Sequence, residues 1–554
     1  MTDLVCPLVW FKQSDLRSGS MRRLALGISV VGAVIVGLVL LRPVLLSPVT
    51  GDDIYFHLYA SANPDPNATG LSPVRDGGIA KLPVEWRVRF DIGRVNVLTA
   101  VERRIAGRTM IETAVATGRP VHQISGVLKI GYAALSLFAV YALLRAIRWR
   151  RPDTGSLVQM ESGTRAVAMV AGGLAFAAGA APQHTGANGW LSYPASTWTA
   201  AFSIFGVVAL MLWLTRLAAV RGRVVAVPAA LLLAVIGVVS NFRYELTFPA
   251  LPLTLLALVL LPVSDLEHRA AGRRAKWLLG SAYGVGFFAV LGANRMLLRD
   301  VCDGGDCYGG VSIALEPAMF RTFAVNVAST IPGTGREEVL ALLSSVSIPA
   351  DVIWTPTLWS VLTALALVVT LALAWHGGGP RQAESAGPPQ RRAQAVLCLI
   401  GAALLVAGGL GAAAVMSLSE RSQAQINEVG ELFRHSVVTW TGLAFGAVLL
   451  VLALGLWRPR LAVPSYVALA FVMALLVATR MPADDRIMAA NAIRFEPSMK
   501  VFEQVVRGET GDRANQRRCM VLRDVDRDLG YYGPRIREGS EKSFQRFWHT
   551  AFCQ

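Results

Sequence analysis

The chain alternates long apolar runs with short polar loops. Apolar runs of roughly 17 to 25 residues, the length of a bilayer-spanning helix, occur at eleven places. These runs begin near Arg23, Leu128, Arg165, Trp198, Val224, Leu246, Trp277, Leu358, Ala395, Val437 and Val463. The pattern predicts an all-α polytopic membrane protein with about eleven transmembrane helices. The two short runs within residues 224–261 meet at a polar turn, so this region forms either two crossings or a re-entrant hairpin.

The distribution of basic residues predicts the orientation. With the N-terminus inside, arginines concentrate in the inner loops, as at Arg150 and Arg151, whereas the short outer loops carry only Arg243, Arg421 and Arg434. Because short cytoplasmic loops are enriched in Lys and Arg, the sequence predicts an N-in, C-out protein of the plasma membrane.

This topology divides the chain into three parts. Residues 1–22 are a cytoplasmic N-terminus, 23–480 a transmembrane domain and 481–554 an extracytoplasmic C-terminal domain. Two further outer segments, the loops 47–123 and 294–353, interrupt the transmembrane domain. Most polar mass outside the membrane is therefore expected on one side.

Composition supports the same class of protein. The chain is 54% hydrophobic and only 16% charged, whereas soluble domains average about 25% charged residues. The net charge of +16 is spread over short loops and not clustered on one soluble domain. Nucleic acid is therefore not an expected partner, and the lipid bilayer is.

The cysteines give an independent indication of topology. Cys302, Cys307, Cys519 and Cys553 all fall on the predicted outer side, where disulfides persist. We expect the bridges Cys302–Cys307 and Cys519–Cys553. The alternative is a metal site formed by the first pair and the two aspartates between them. Mixed soft and hard ligands without histidine fit no common metal site, so the disulfide is favoured and no metal ligand is assigned.

Two patterns stand out in the first outer loop. Apolar residues alternate with polar ones over 84–92, which predicts a half-buried strand or extended segment. From Arg94 the pattern becomes that of a short amphipathic helix lying at the headgroup level. Its basic side chains, expected to anchor in the headgroups, are Arg103, Arg104 and Arg108.

The strongest candidate for chemistry is the pair Asp52-Asp53, directly after the first apolar run. Adjacent carboxylates are costly in lipid but natural at a water-facing site beside the membrane. The alternative is a helix N-cap on a solvated surface, and the position favours function.

The segment Thr50–His57 (TGDDIYFH) and the layout around it resemble the GT-C glycosyltransferase superfamily. The shared features are a first span followed at once by the acidic pair, a long outer loop, many further spans and an outer C-terminal domain. The Ala/Val/Arg-rich composition and the outer cysteines are similar to actinobacterial members that build cell-wall arabinan and mannan. The specific part of the resemblance is limited to the Asp-Asp motif and Gly93-Arg94.

The resemblance implies a polyprenyl-phosphate sugar as the donor, with arabinofuranose and mannose as the candidate sugars. The acceptor would be an envelope polysaccharide or glycolipid on the outer face. An aspartate of the Asp52-Asp53 pair would be the general base, and Arg94 and Arg243 are candidates for binding the donor phosphate. Some members of the superfamily use a divalent cation near the acidic motif, but nothing in this sequence requires one.

Other polar and aromatic side chains are candidates for lining the site. These are Tyr55, His57, His184, Trp190 and Glu245. His57 lies one turn beyond Asp53 if the segment is helical. Each has a simpler interpretation: the histidines as polar lining, Trp190 as an interfacial aromatic, and Glu245 as an ion-pair partner of Arg243.

Two other functional classes stay open. A lipid-linked glycan translocator would carry paired broken helices and ionisable residues deep in its spans, and the spans here carry few charges. A non-catalytic GT-C-like scaffold could keep the acidic pair without activity.

Overall fold

The computed structural model is dominated by helices. It describes residues 19–50, 53–54, 57–58, 83, 86–87, 96–151, 154–181, 188–191, 194–243, 245–266, 268–302, 313–334, 336–349, 354–379, 387–425, 429, 434–529 and 532–554. Within these ranges nine helices are long and apolar enough to cross a membrane, and two shorter apolar helices accompany them. The fold class of an all-α, multi-pass membrane protein is confirmed, whereas the count of eleven crossings and the orientation stay predictions.

Among the described residues, the first half of the chain has eight helices with defined bounds and one β-hairpin. They are α1 Gly19–Leu45, α2 Val97–Thr117, α3 Val121–Ala146, β1 Arg148–Arg150, β2 Leu157–Gln159, α4 Ser162–Ala178, α5 Pro194–Arg221, α6 Arg223–Phe242, α7 Ala250–Leu260 and α8 Arg269–Cys302. A 3₁₀ turn, Glu245–Thr247, separates α6 from α7. In the region 224–261, α6 is therefore long enough to span a bilayer and α7 is shorter.

The described part of the second half contains ten helices. They are α9 Ala318–Thr330, α10 Arg336–Ser345, α11 Leu358–Gly378, α12 Pro388–Ser417, α13 Glu420–Gln425, α14 Ser436–Trp457, α15 Pro459–Arg494, α16 Glu496–Arg507, α17 Asp512–Asp528 and α18 Gly533–Trp548. Because α15 runs without interruption to Arg494, the separate helices of the C-terminal tail begin at Glu496, and the domain boundary expected at 481 stays a prediction.

Small residues allow helices α12 and α14 to pack closely. A Cβ atom built on Gly442 would lie 2.3 Å from the Leu405 carbonyl oxygen, and one on Gly409 would lie 2.9 Å from the Thr439 carbonyl oxygen. Water cannot drive the association of helices inside a bilayer, so close backbone approach and dispersion do. Larger side chains at these two positions would separate the helices.

The C-terminal tail covers the end of the bundle at which α1 terminates. We call this the capped end; it comprises the C-terminal turns of α1, residues 53–58, α2 and residues 495–554. Phe502, Phe544 and Phe552 of the tail are fully buried in one apolar cluster with Ile54 and Leu58. Burial of each such side chain stabilises the fold by about 1.5–3 kcal/mol. The tail is therefore held by an apolar core of its own.

A disulfide closes the tail. Cys519 on α17 is bonded to Cys553, as the sequence predicted. Cys302 is also disulfide-bonded, and its expected partner Cys307 lies outside the described residues. Cys398 is a buried free thiol.

The opposite end of the bundle carries the short antiparallel hairpin β1–β2, in which Trp149 pairs with Val158. We call this the hairpin end.

The strand predicted for 84–92 is not seen in the described residues of that segment, because Pro83, Trp86 and Arg87 are helical. Trp86 packs its ring 4.9 Å from that of Phe242, at the end of α6. An alternating pattern over the nine residues 84–92 cannot exclude a helix that packs against a neighbour.

Candidate functional site

Asp53 lies in a small pocket at the capped end, just beyond α1. Its side chain is only 2% exposed, and it pairs with Arg103 of α2 at 3.0 Å between Oδ1 and Nη2. Arg103, Ala106 and Met110 line the pocket from one face of α2, as expected for residues three, four and seven apart on a helix. The carboxylate is thus enclosed by protein and balanced by a guanidinium.

His57 lies beside Asp53, one helical turn later. Its ring lines the same pocket and is almost fully buried, and its Nδ1 atom has no hydrogen-bond partner. Burial lowers the pKa of His57 to about 4; the Asp53 charge opposes that change, and Arg103 and Lys129 add to it. The imidazole is therefore neutral near pH 7, able to accept a proton or a hydrogen bond.

The fit between His57 and α2 depends on Gly107. A Cβ atom at that position would lie 2.4 Å from His57 Nδ1 and 2.9 Å from its Cα atom. No heavy atom tolerates that approach, so the position requires glycine as long as His57 stays in place. The absence of a side chain at Gly107 thereby lets His57 pack directly against the backbone of α2.

The third wall of the pocket comes from α3. Ser125, Leu128 and Tyr132 line it, and Pro194 and Ala195 at the start of α5 complete it.

Lys129 of α3 is buried behind this wall. Its Nζ atom donates a hydrogen bond to the Val44 carbonyl oxygen of α1 at 2.9 Å. Its charge also interacts with Asp53 and His57. Two cations, Lys129 and Arg103, therefore lie close to one carboxylate and one neutral imidazole.

Arg243 lies close to this group but is engaged elsewhere. Its Nε atom is 3.0 Å from Glu102 Oε1, and its Nη2 atom donates to Thr199 Oγ1. Burial raises the pKa of Glu102, and the Arg243 charge opposes that change. Arg243 thus ties the end of α6 to α2 and α5 through Glu102 rather than through Glu245, and it is not in the pocket wall.

The C-terminal tail forms hydrogen bonds with the elements that line the pocket. Glu112 of α2 accepts from both Arg108 and Arg546, at 2.6 Å and 2.5 Å. Ser543 donates to the Leu58 carbonyl oxygen, one residue after His57. The buried pair Arg108–Glu112 contradicts the expected role of Arg108 as a headgroup anchor, and Arg103 is corrected in the same way by its pairing with Asp53.

The remaining predicted site residues fall in three groups. Asp52, Tyr55, Arg94 and His184 lie outside the described residues. Trp190 is buried in the bundle, with ring centroids 5.3 Å from Phe176 and 5.5 Å from Trp198, so it is a core residue and does not line this pocket. Glu245 begins the 3₁₀ turn and is half-buried.

Sequence reasoning missed Arg103 and Lys129 as site residues. Lys129 had a usable signal, since a single lysine inside an apolar span marks a functional or structural partner by default. For Arg103 the pattern gave no such signal, because a basic helix face looks the same whether it meets lipid headgroups or a buried carboxylate.

Comparison with known proteins adds no family to this picture. No protein-family model matches the chain, and neither a curated protein nor a solved structure matches it. Within the described residues no group of three or more His, Cys, Asp or Glu side chains is arranged to hold a metal ion. Any function must therefore be inferred from the geometry of the pocket.

Proposed function

We propose that the chain is an integral membrane glycosyltransferase that uses a polyprenyl-phosphate sugar as donor. The acceptor would be an envelope glycan or glycolipid, and an aspartate of the Asp52-Asp53 pair would be the general base. The observation that carries the proposal is Asp53, a buried carboxylate in a pocket at one end of a membrane-length helix bundle. The resemblance of residues 50–57 to the GT-C motif supports it, and the orientation with this end outward is part of the proposal.

The chemistry requires a base and a positive environment. As the acceptor oxygen attacks the anomeric carbon, its proton passes to the carboxylate, and the lipid phosphate leaves with the electrons of the broken C–O bond. Arg103 orients Asp53, and the charges of Arg103 and Lys129 favour the developing negative charge on the leaving phosphate. Neutral His57 can accept a hydrogen bond from a second hydroxyl of the acceptor, one that does not react.

The competing interpretation is structural. In it the Asp53–Arg103 pair only fastens residues 53–58 to α2, and the chain is a scaffold without activity. A small pocket and a carboxylate paired with Arg103 also fit this structural interpretation, so the experiment must separate loss of chemistry from loss of folding.

The test is transfer of labelled sugar from a panel of polyprenyl-phosphate donors into envelope glycan, using membranes that contain the native chain or a variant. Asp53→Asn keeps the size of the side chain and removes the base, so we expect transfer to fall by about 10²- to 10⁴-fold. Asp52→Asn is measured in parallel to identify which aspartate is the base.

Asp485→Asn is the matched control. Asp485 pairs with Arg42 at the same end of the bundle, but it is partly exposed and does not line the pocket. Folding of each variant is checked by the Cys519–Cys553 disulfide and by elution as a single species. Transfer that collapses in Asp53→Asn or Asp52→Asn and persists in Asp485→Asn supports the enzyme. Native transfer that survives in both aspartate variants, or no native transfer from any donor, supports the scaffold.

A further inference from the structure

A second charged cluster lies at the hairpin end and has no role in the proposed transfer. Arg148 on β1 is its centre, close enough for its charge to interact with those of Arg145, Arg165 and Arg216. These arginines come from α3, α4 and α5. On α5 alone, Arg216 is 21 residues from Ala195 of the pocket, or about 32 Å along the helix. The cluster is therefore a separate site.

Among the described residues, no carboxylate forms an ion pair with the arginines of this cluster. Arg216 has two buried nitrogens, Nε and Nη2, without a hydrogen-bond partner, and Arg148 has one, its Nε atom. Arg165 donates to the Met160 carbonyl oxygen and stacks over the Tyr141 ring. In the part of the chain that the structure describes, the nearby carboxylate that opposes their charge is the exposed Asp265.

Such an arrangement is costly without an anion. Burial lowers the pKa of Arg148, and the charges of Arg145 and Arg165 add to that effect. Arg148 and Arg216 are half-buried side chains, and the N–H groups that they do bury need hydrogen-bond partners. The planar N–H pairs of arginine fit phosphate oxygens in bidentate fashion. A phosphate is therefore the anion whose geometry and charge match this cluster.

The position of the cluster along a membrane-length helix indicates where the phosphate comes from. Arg216 lies in the last two turns of a helix long enough to span a bilayer, which is where lipid headgroups meet protein. Basic pockets between membrane helices bind anionic headgroups at this level. A soluble phosphate compound could reach the same place from the adjacent water.

We infer that Arg148 and Arg216 bind a phosphate group at the hairpin end, carried by an anionic phospholipid or by a soluble phosphate. The test uses the full chain purified in detergent, with its unfolding temperature measured alone and with added phosphatidylglycerol, phosphatidylcholine or inorganic phosphate. The variants are Arg216→Gln, Arg148→Gln and Arg216→Lys. Arg458→Gln, which removes an exposed arginine after α14, is the matched control.

The expected result has two parts. Without added anion, Arg216→Gln should unfold at the native temperature or higher, because it removes an unpartnered buried charge. With phosphatidylglycerol, the native chain and Arg458→Gln should be stabilised, whereas Arg216→Gln and Arg148→Gln should bind on the order of tenfold more weakly. Arg216→Lys keeps the charge but loses the planar fork, so we expect an intermediate affinity.

Comparing the two added lipids with inorganic phosphate identifies the source of the phosphate. Stabilisation by phosphatidylglycerol, but not by phosphatidylcholine or inorganic phosphate, supports the lipid headgroup. Stabilisation by inorganic phosphate that both Gln variants abolish supports a soluble compound. The inference is overturned if neither anion stabilises the native chain, or if the arginine variants respond as Arg458→Gln does. Should Arg216→Gln fail to fold, Arg148→Gln and Arg216→Lys give the same comparison.

Discussion

The two ends of the helix bundle treat buried positive charge in opposite ways. At the capped end the arginines have carboxylate partners within the chain, as in Arg103–Asp53, Arg243–Glu102 and Arg546–Glu112. At the hairpin end, Arg148 and Arg216 have buried N–H groups and no carboxylate of the described residues in contact. The same residue type is thus balanced internally at one end and left for an external anion at the other.

The difference shows at which end the charges are balanced within the chain, without a bound ligand. Internal pairs fix side chains in one geometry before any ligand arrives, which suits a site that must hold a base and a histidine in register. An unbalanced cluster gains stability only when something binds, so its stability depends on its surroundings. Substitutions at the two ends should therefore differ in size and in sign.

The largest effect is expected from breaking the Asp53–Arg103 pair. Asp53→Ala leaves a buried guanidinium without its partner, and we expect the free energy of unfolding to fall by roughly 3–5 kcal/mol. The double variant with Arg103→Ala should recover part of that loss, because no uncompensated charge remains. The free energies of unfolding of the native chain, Asp53→Ala, Arg103→Ala and the double variant, measured in one detergent, give the coupling energy. Additive losses in the double variant would contradict a direct pair.

The next effect concerns pH and His57. Its folded pKa of about 4 lies below the ordinary value of 6.5, so its contribution to stability is complete above pH 6.5 and is lost as the pH falls toward 4. We expect a loss of roughly 2 kcal/mol between pH 7 and pH 5 from this residue.

The control for this pH effect is His57→Gln, which should remove that part of the pH dependence. His435, also buried with a lowered pKa of about 4, contributes a similar slope that the variant leaves in place. An unchanged slope in His57→Gln would show that His57 is not buried as described.

A smaller effect should come from Gly107→Ala. The new methyl group would collide with His57, and overpacking of this kind costs about 1–3 kcal/mol. Gly131→Ala lies on α3, where the new methyl group would meet no atom within 4 Å, so it should be neutral or more stable by up to about 1 kcal/mol. Thermal unfolding of both variants checks the pair, and equal behaviour would mean that α2 and residues 53–58 do not pack closely.

The smallest effect is expected at the hairpin end. Asp265→Asn removes an exposed carboxylate, so the free energy of unfolding should change by less than about 1 kcal/mol. The same change of Asp to Asn at position 53 should be several times larger. Comparable losses in the two variants would remove the distinction between the ends.

The sequence was most informative where the physical signal is local. Long apolar runs gave the helices of the bundle, and the exit of the first run located Asp53 and His57, which the structure places in one pocket. The Cys519–Cys553 bridge followed from residue type and side alone.

Partners distant in sequence could not be predicted. Glu102, the partner of Arg243, lies on α2, far from α6 in the sequence, and the nearer Glu245 was the natural expectation. Trp190 carried the signature of an interfacial aromatic, yet it packs with Phe176 and Trp198 in the core. Periodicity shows which face of a helix is polar, but the element that this face meets depends on tertiary packing.

The hydrogen bond from Ser543 to Leu58 joins residues 485 positions apart, and this has a consequence for biosynthesis. The residues around Asp53 are made long before the tail helices that pack on them. Until the tail has been made, Ile54 and Leu58 can pack against α2 but lack their contacts with Phe502, Phe544 and Phe552. Chains that stall or end before α18 would keep this surface exposed, which is a feature that quality-control proteases and chaperones recognise.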